Sequence, residues 1–501
     1  MDHVDSTGPQ HQLQKYLLET VSIISLIWCL NHLWTRRKLY WYGFLLPGPV
    51  PLPLIGSSYA LVGSSNDVLD NLVSLQDRWD TCKIWLRSTL FILVSNPRHI
   101  EIILNGPQSM DKDLFVYEPL TEVLGNGLVT APGKIWKRHR RTIAPSFNQK
   151  ILESFVRVFE EKAKLLGDKI GELVGEKGID WYPVVARCTL DIVCETAMGV
   201  DMKVQSRNHR GIGECLATLM ETANRKIFDI YYMNPVIWKL SNLKRTYDEN
   251  IKYYFDITAE VIKQKKSELT DTRQEDHISP NKPAFLDLLL ENSNFTEDEL
   301  NAEIRTFLAA GTETTAASIC AVLTTLGMFP DVQEKVYEEI VQVVGGDGYI
   351  EAGDLPRLKY TERVIKETLR LFPVAPVYAR SIAQDVSLDG KVVPAGSAAV
   401  VLPIYVHRSP KYWKDPLKFD PDRFLPEESS KRHPCTYLPF SYGLRNCIGS
   451  KYALMSIKTI LSTLIRRFRV YSEYKTVEEI ELKLQMLLKF KDGFKISFEY
   501  R

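Results

Sequence analysis

The chain has 501 residues and a formal net charge of +1, with 63 Lys and Arg against 62 Asp and Glu. That balance excludes nucleic acid, or a strongly acidic substrate, as the main partner. The eight cysteines show no framework spacing, and a chain this large needs no covalent staples, so reduced thiols facing a cytosol are expected.

The length allows roughly two to four domains, but the only clear linker lies near the N-terminus, so one large catalytic domain is expected. Residues 17–34, LLETVSIISLIWCLNHLW, are mostly apolar, with Trp28 and Trp34 suited to a membrane interface. This core is short against the about 20 residues of a spanning helix. Arg36, Arg37 and Lys38 follow directly and fit a positive-inside stop, leaving the rest of the chain in the cytosol. A polar segment precedes the stretch and no small-residue cleavage site follows, which favours a retained anchor over a signal peptide or a buried helix. Residues 1–44 therefore read as anchor and basic stop. Residues 45–56, LLPGPVPLPLIG, carry Pro47, Pro49, Pro51 and Pro53 and read as a stiff extended hinge to a catalytic domain over 57–501.

Alternation over residues 82–96 predicts two short strands with a turn near Arg87 and Ser88, and Asn96-Pro97 starts a helix to Leu104. Residues 132–147, PGKIWKRHRRTIAPSF, hold five cations: Lys134, Lys137, Arg138, Arg140 and Arg141. Taken alone this is a solvated basic helix, or a docking patch for an acidic partner. Residues 150–270 are largely helical by period, with turn signals at Gly175 to Gly178 and at Asn234-Pro235. Residues 267–283 are polar and proline-broken and read as a surface loop.

Thr296 and Glu299 form a capping box opening a helix that runs to about Phe329, where Pro330 stops it. At about 1.5 Å per residue it is roughly 50 Å long, enough to cross a domain. Its middle is AAGTETT, residues 309–315. Ala310 and Gly311 leave room for a flat cofactor against the backbone. Glu313 places a carboxylate in the most apolar part of the helix, which is costly unless bonded or used. Thr314 can bond back to the Ala310 carbonyl and open the helix locally. Acid, alcohol and water together make a proton relay; the blander alternative is that both side chains only satisfy backbone groups.

Further on, Glu367 and Arg370 stand at i, i+3 in ETLR, and Arg423 lies in PDRF. RLFPVAPVYAR ends at Arg380, and strand-like pieces follow at 386–393 and 397–402. Then comes FSYGLRNCIG, residues 440–449, with Cys447 between Gly443 and Gly449, Arg445 two positions before it and Phe440 seven. Loop glycines let a backbone approach a flat ligand. A helix N-terminus and a nearby arginine favour thiolate over thiol. His433 and Cys435 are close by, but no CxxC or HxxxH spacing supports a zinc cluster. Apolar residues from Ala453 to Phe468 recur at helical spacing.

Five ordered elements, WxxxR (Trp136, Arg140), AGTETT, ExxR, PxRF and the cysteine signature, resemble the cytochrome P450 family over about residues 45–501. The resemblance implies a mainly α fold with a smaller β portion (α+β), a triangular helical prism enclosing haem b. Cys447 would be the axial thiolate, in a loop with Phe440, Gly443, Arg445 and Gly449. Trp136, Arg140 and Arg380 would reach the propionates, and Ala310 and Gly311 would pack against the ring. Glu313 and Thr314 would be the acid–alcohol pair. Glu367, Arg370 and Arg423 would brace the cysteine loop.

EIRTFLAAGTETT, residues 303–315, resembles family four, the fatty-acid hydroxylase group, and its insect branches. Many members of that group carry a glutamate ester to haem where this chain has Ala310, so non-covalent haem is expected. The resemblance further implies monooxygenation of a hydrophobic substrate with O2. Electrons would come from NADPH through the flavins of NADPH–cytochrome P450 reductase, with cytochrome b5 as an accessory, at the endoplasmic reticulum membrane. Substrates would be fatty acids, long-chain hydrocarbons or alkenes, with xenobiotics as the alternative. A reductase-independent isomerase or dehydratase, or a non-enzymatic haem or lipid carrier, are the competing readings.

Overall fold

The longest buried helix starts where the capping box puts it. Glu299 N–H donates to Thr296 Oγ1 at 3.3 Å, and Thr296 N–H donates to Glu299 Oε2 at 3.0 Å. The central helix then runs Glu297–Met328. The Pro330 that ends it also opens the next helix, Pro330–Val344, at a position where no N–H is needed. The computed structural model describes residues 9–53, 55–63, 65–86, 88–176, 178–206, 211–229, 231–232, 234–274, 285–292 and 294–501.

Two hydrophobic cores meet along this helix. Leu300, Ile304 and Leu308 join one, with the sheet; Ile319, Val322 and Leu326 join the other, with the helix Ser450–Arg467. A helix apolar all round is a buried helix, and AAGTETT sits at the junction of the two cores.

The strands are β1 Thr81–Leu86, β2 Thr89–Val94, β3 Tyr378–Ser381, β4 Val386–Leu388, β5 Lys391–Val393, β6 Ala398–Val401, β7 Phe468–Ser472, β8 Leu482–Lys483, β9 Lys489–Phe490 and β10 Ile496–Tyr500. One sheet has the order β1-β2-β6-β3, with β2 and β6 parallel and the other pairs antiparallel. Three two-stranded pairs complete a small β portion against many helices. The predicted strands at 82–96 are β1 and β2, followed by the helix Pro97–Asn105. Arg87 of their predicted turn lies outside the described residues.

Four readings change. The N-terminal helix spans Pro9–Thr35, and its 23 residues Leu13–Thr35 contain an 18-residue stretch with a mean hydropathy of 1.4. That helix is longer than the stretch read from sequence and meets the length of a span. Among the described residues a second helix, the central one, is also long and apolar enough, but it is mostly buried inside the protein.

The basic stop is itself a docked helix, Arg37–Leu45. Arg36 donates to the Ser88 carbonyl at 2.7 Å, and the Tyr40 ring stacks on Trp85 at 5.2 Å. The proline segment is likewise bound rather than free. Lys83 N–H donates to Pro47 O at 2.8 Å and Ser57 N–H to Trp85 O at 2.6 Å. Finally, the helix Asn242–Gln274 takes in the first part of the predicted loop at 267–283, whose remainder lies outside the described residues.

Candidate active site

A cavity of about 1510 Å³ lies between the cysteine loop and the middle of the central helix. Trp136, Arg140, Ala310, Gly311, Glu313, Thr314, Phe440, Arg445, Cys447 and Gly449 all line it. Gly443, Arg380, Glu367, Arg370 and Arg423 do not. The remaining lining is mainly apolar, as at Leu72, Phe91, Phe115, Leu120 and Phe307, with Val374, Ala375, Val377 and Tyr378 along one wall.

Cys447 N–H donates to Phe440 O at 2.9 Å, closing the loop. Gly449 N–H points at the sulfur and its helix begins one residue later, so the thiol meets the N-terminal end of Ser450–Arg467. Burial pushes the Cys447 thiol up, and the Gly449 N–H and the Arg140 charge oppose it. The arginine that favours the thiolate is therefore Arg140, not its sequence neighbour Arg445. Arg140 grips the loop, donating to Asn446 O at 3.0 Å and Asn446 Oδ1 at 2.9 Å. Arg445 turns over Trp136, 4.7 Å from the ring centre, and donates to Ala131 O at 2.7 Å.

Gly443 has a φ of +73°, and a Cβ there would lie 2.3 Å from Leu104 O. The glycine lets the loop close on the helix Pro97–Asn105.

A cluster of cations stands beside the cavity floor. The chain at Lys112 pairs with Arg380 across the sheet edge, with Ser381 N–H donating to Asp111 O at 2.9 Å. Lys112 thereby joins Arg380 and Arg445. Lys112 donates to the Tyr117 hydroxyl at 3.2 Å. Burial, then the charges of Arg380 and Arg445, hold its amine well below the usual lysine range. Burial and Arg380 push Arg445 down to about 10, opposed by Asp111. Arg380 Nη2 and Arg445 Nε and Nη1 are buried with no hydrogen-bond partner among the described residues. Buried, unpaired N–H groups on cations are expensive. Two carboxylates arriving on one flat ligand would satisfy them, so the residues fit a porphyrin held by its propionates over Cys447. Lys112 and Tyr117 escaped sequence reasoning, because no local signal connects residue 112 with residue 380.

Opposite Cys447, Thr314 Oγ1 donates to Ala310 O at 2.6 Å, the back-bond expected in the central helix. Ala310 faces the cavity. Gly311 lines it too, but its missing side chain serves another contact: a Cβ would lie 2.8 Å from Val193 Cγ2 in the helix Tyr182–Val193. Glu313 is buried, and its Oε2 accepts the Tyr182 hydroxyl at 2.6 Å, with Lys489 Nζ at 3.8 Å. Neither partner was foreseen from sequence.

The cysteine loop has a buried brace. Arg370 donates Nε to Glu367 Oε2 at 2.7 Å and Nη2 to Glu367 Oε1 at 2.8 Å, a bidentate pair with neither side chain exposed. Arg423 Nε lies 3.4 Å from Glu367 Oε1, so the predicted triad is assembled. Arg370 Nη1 also donates to His407 O and Pro416 O, each at 2.7 Å.

A cytochrome P450 family model matches residues 46–498. The chain is 32% identical over 489 residues to cytochrome P450 4c3 of Drosophila melanogaster, covering 93% of this chain and 91% of that protein. It is 34% identical over 467 residues to cytochrome P450 4V2 of Mus musculus, covering 90% and 88%. The solved cytochrome P450DA heme domain superposes with a TM-score of 0.78 at 22% identity, covering 91% and 98%, and so shares the fold. Fold, pocket and relatives agree: the chain belongs to the cytochrome P450 family, with family-four members of insects and mammals among its relatives, and is a monooxygenase.

Proposed function

We propose that this enzyme oxygenates long apolar molecules, namely fatty acids, long-chain hydrocarbons or alkenes, with electrons from NADPH delivered by NADPH–cytochrome P450 reductase and assisted by cytochrome b5. The observation that carries the reading is the mainly apolar cavity with Cys447 at one side and Ala310 to Thr314 at the other. Cys447 would ligate haem b, with Lys112, Arg140 and Arg445 toward the propionates and Arg380 behind them. When bound, that group supplies O–O bond cleavage and insertion of one oxygen atom, favoured by thiolate ligation.

The chain's own residues do the rest. Apolar walls exclude water and hold a substrate by shape more than by hydrogen bonds. The Thr314 hydroxyl is already turned to Ala310 O, a back-bond that eases local opening of the helix to water. Glu313 supplies the exchangeable proton behind it. Ala310 has no carboxyl to esterify, so the haem is held non-covalently, and acid denaturation releases it free. The helix Leu13–Thr35 anchors the enzyme in the endoplasmic reticulum membrane with the catalytic body on the cytosolic face.

The test is reductase-supported NADPH consumption with product analysis over a panel of fatty acids, hydrocarbons, alkenes and xenobiotics. Substrate-dependent oxygenated product from the lipid members is expected. Product from the xenobiotics alone replaces the lipid reading, and no product from any member overturns the proposal.

A further inference from the structure

Glu313 occupies an unusual place for an acid that serves a cavity. Its side chain is 5% exposed, while Lys489, which approaches the same oxygen, is 27% exposed. Lys489 Nζ also lies 4.0 Å above the ring of Tyr182, the residue that donates to Glu313. The three form one contact set: ammonium over phenol ring, both at one carboxylate oxygen, running from solvent to the central helix. Asp180 and Cys320 are further ionisable groups near Tyr182 and Lys489, Lys483 lies opposite Lys489, and Tyr254 also senses Glu313. Asp180 is occupied by the N–H groups of Tyr182 and Phe494, each at 3.1 Å. Lys489 is thus the cation placed to balance Glu313.

The setting of Lys489 adds a link to the substrate. It lies on β9, paired with β8 through Lys483 opposite Lys489. The turn between these strands places Leu484, Gln485, Met486 and Leu487 in the cavity wall. Leu488 N–H donates to Val374 O at 2.8 Å, so the hairpin is tied to a second lining segment. A molecule that fills the cavity presses on the same hairpin that carries the lysine.

We propose that Tyr182 and Lys489 are positioning residues for proton entry: they hold the Glu313 carboxylate at the solvent side of the central helix, and Lys489 sets when it is free to serve Thr314. This rests on Glu313 being the proton donor of the proposed function. The step is a pure proton relay. Glu313 takes one proton from solvent hydronium, leaving water, and passes it to the Thr314 hydroxyl as that hydroxyl releases its own proton into the cavity; Glu313 ends again as a carboxylate, with no electron moved. Substrate contact at residues 484–487 shifts β9 and loosens the Lys489 ion pair, which times proton entry to an occupied cavity.

The test uses the full-length, haem-loaded chain as wild type, Lys489→Met, Lys489→Arg and Tyr182→Phe. The first readout is the carboxylate stretch of Glu313 in infrared difference spectra, isolated by subtracting Glu313→Gln. It moves in Lys489→Met and returns in Lys489→Arg. The second is the rate of oxygen reduction supported by reductase and NADPH, with its solvent deuterium isotope effect, measured without substrate. Lys489→Met raises the rate about fivefold to tenfold, because Glu313 is then free in the empty cavity, a change smaller than the ~10²–10⁴ that a proton donor contributes, and lowers the isotope effect at unchanged haem content. Lys489→Arg restores both, and Tyr182→Phe gives a smaller change of the same sign. An infrared shift with unchanged rate and isotope effect in both Lys489→Met and Tyr182→Phe makes the contact structural only and overturns the proposal. Both readouts are independent of any substrate, so a failed substrate panel is distinguishable from a failed relay.

Discussion

Leu438 N–H donates to His407 Nε2 at 2.6 Å, deep in the protein. The bond joins the Glu367–Arg370 pair to the cysteine loop, because Arg370 holds the His407 carbonyl and Leu438 stands just ahead of Phe440. Burial first, then the charge of Arg370, holds the imidazole down at about 3, so the ring is neutral and can accept.

That neutral ring has a pH signature. The unfolded imidazole binds a proton near 6.5, whereas the folded one refuses it until about 3. The stability His407 provides is complete above pH 6.5 and is lost progressively as pH falls toward 3, at about 1.4 kcal/mol per pH unit. In His407→Gln an amide oxygen can still accept, but nothing titrates. Urea unfolding at pH 7 and pH 5 should show a larger loss for the wild type than for this variant; equal losses would refute the neutral-acceptor role.

The brace itself is the second target. Arg370→Lys cannot reproduce two parallel N–H···O bonds in a fixed fork. Breaking a buried pair of this kind costs about 3–5 kcal/mol. A lower melting temperature and loss of haem on purification should accompany each other in Arg370→Lys and Glu367→Gln. Haem retained at wild-type stability would mean that the loop does not depend on the pair.

For oxygen chemistry, Thr314→Ala removes the bond to Ala310 O while leaving Cys447 untouched. The reduced carbon monoxide band of a thiolate haem should persist while electrons are diverted from product to peroxide. Unchanged coupling would remove Thr314 from the relay. Cys447→Ala should abolish the band altogether.

Gly311→Ala sets two effects against each other. Alanine gains about 1 kcal/mol of helix propensity, but its Cβ falls 2.8 Å from Val193 Cγ2. Overpacking costs about 1–3 kcal/mol, so the variant should be neutral to less stable. In a Val193→Ala background the obstruction is gone and the same substitution should stabilise. A double-mutant cycle by thermal unfolding checks the change of sign.

Legibility in the sequence followed the reach of each interaction. The capping box of Thr296 and Glu299, the back-bond of Thr314 and the Glu367–Arg370 pair are local in the chain, and residue spacing reveals them. Two glycines also meet neighbours that the sequence did not name, Val193 for Gly311 and Leu104 for Gly443. Lys112, Tyr182, His407 and Lys489 were missed for the same reason: each meets its partner across tens to hundreds of residues, and neither periodicity nor composition records such meetings. The apolar stretch at 17–34 was legible, whereas the helix around it reaches back to Pro9 through polar Gln and Lys residues that carry no apolar signal.

The cation cluster around Lys112, Arg380 and Arg445 has a consequence for biosynthesis. Several like charges are packed together with N–H groups that the polypeptide leaves unanswered. Newly made chain therefore carries an electrostatic debt at one end of its cavity until a dianionic prosthetic group arrives. Chain expressed with haem in short supply should therefore be cut faster by protease at this pole than haem-supplemented chain, and equal cutting would separate the cluster from haem binding.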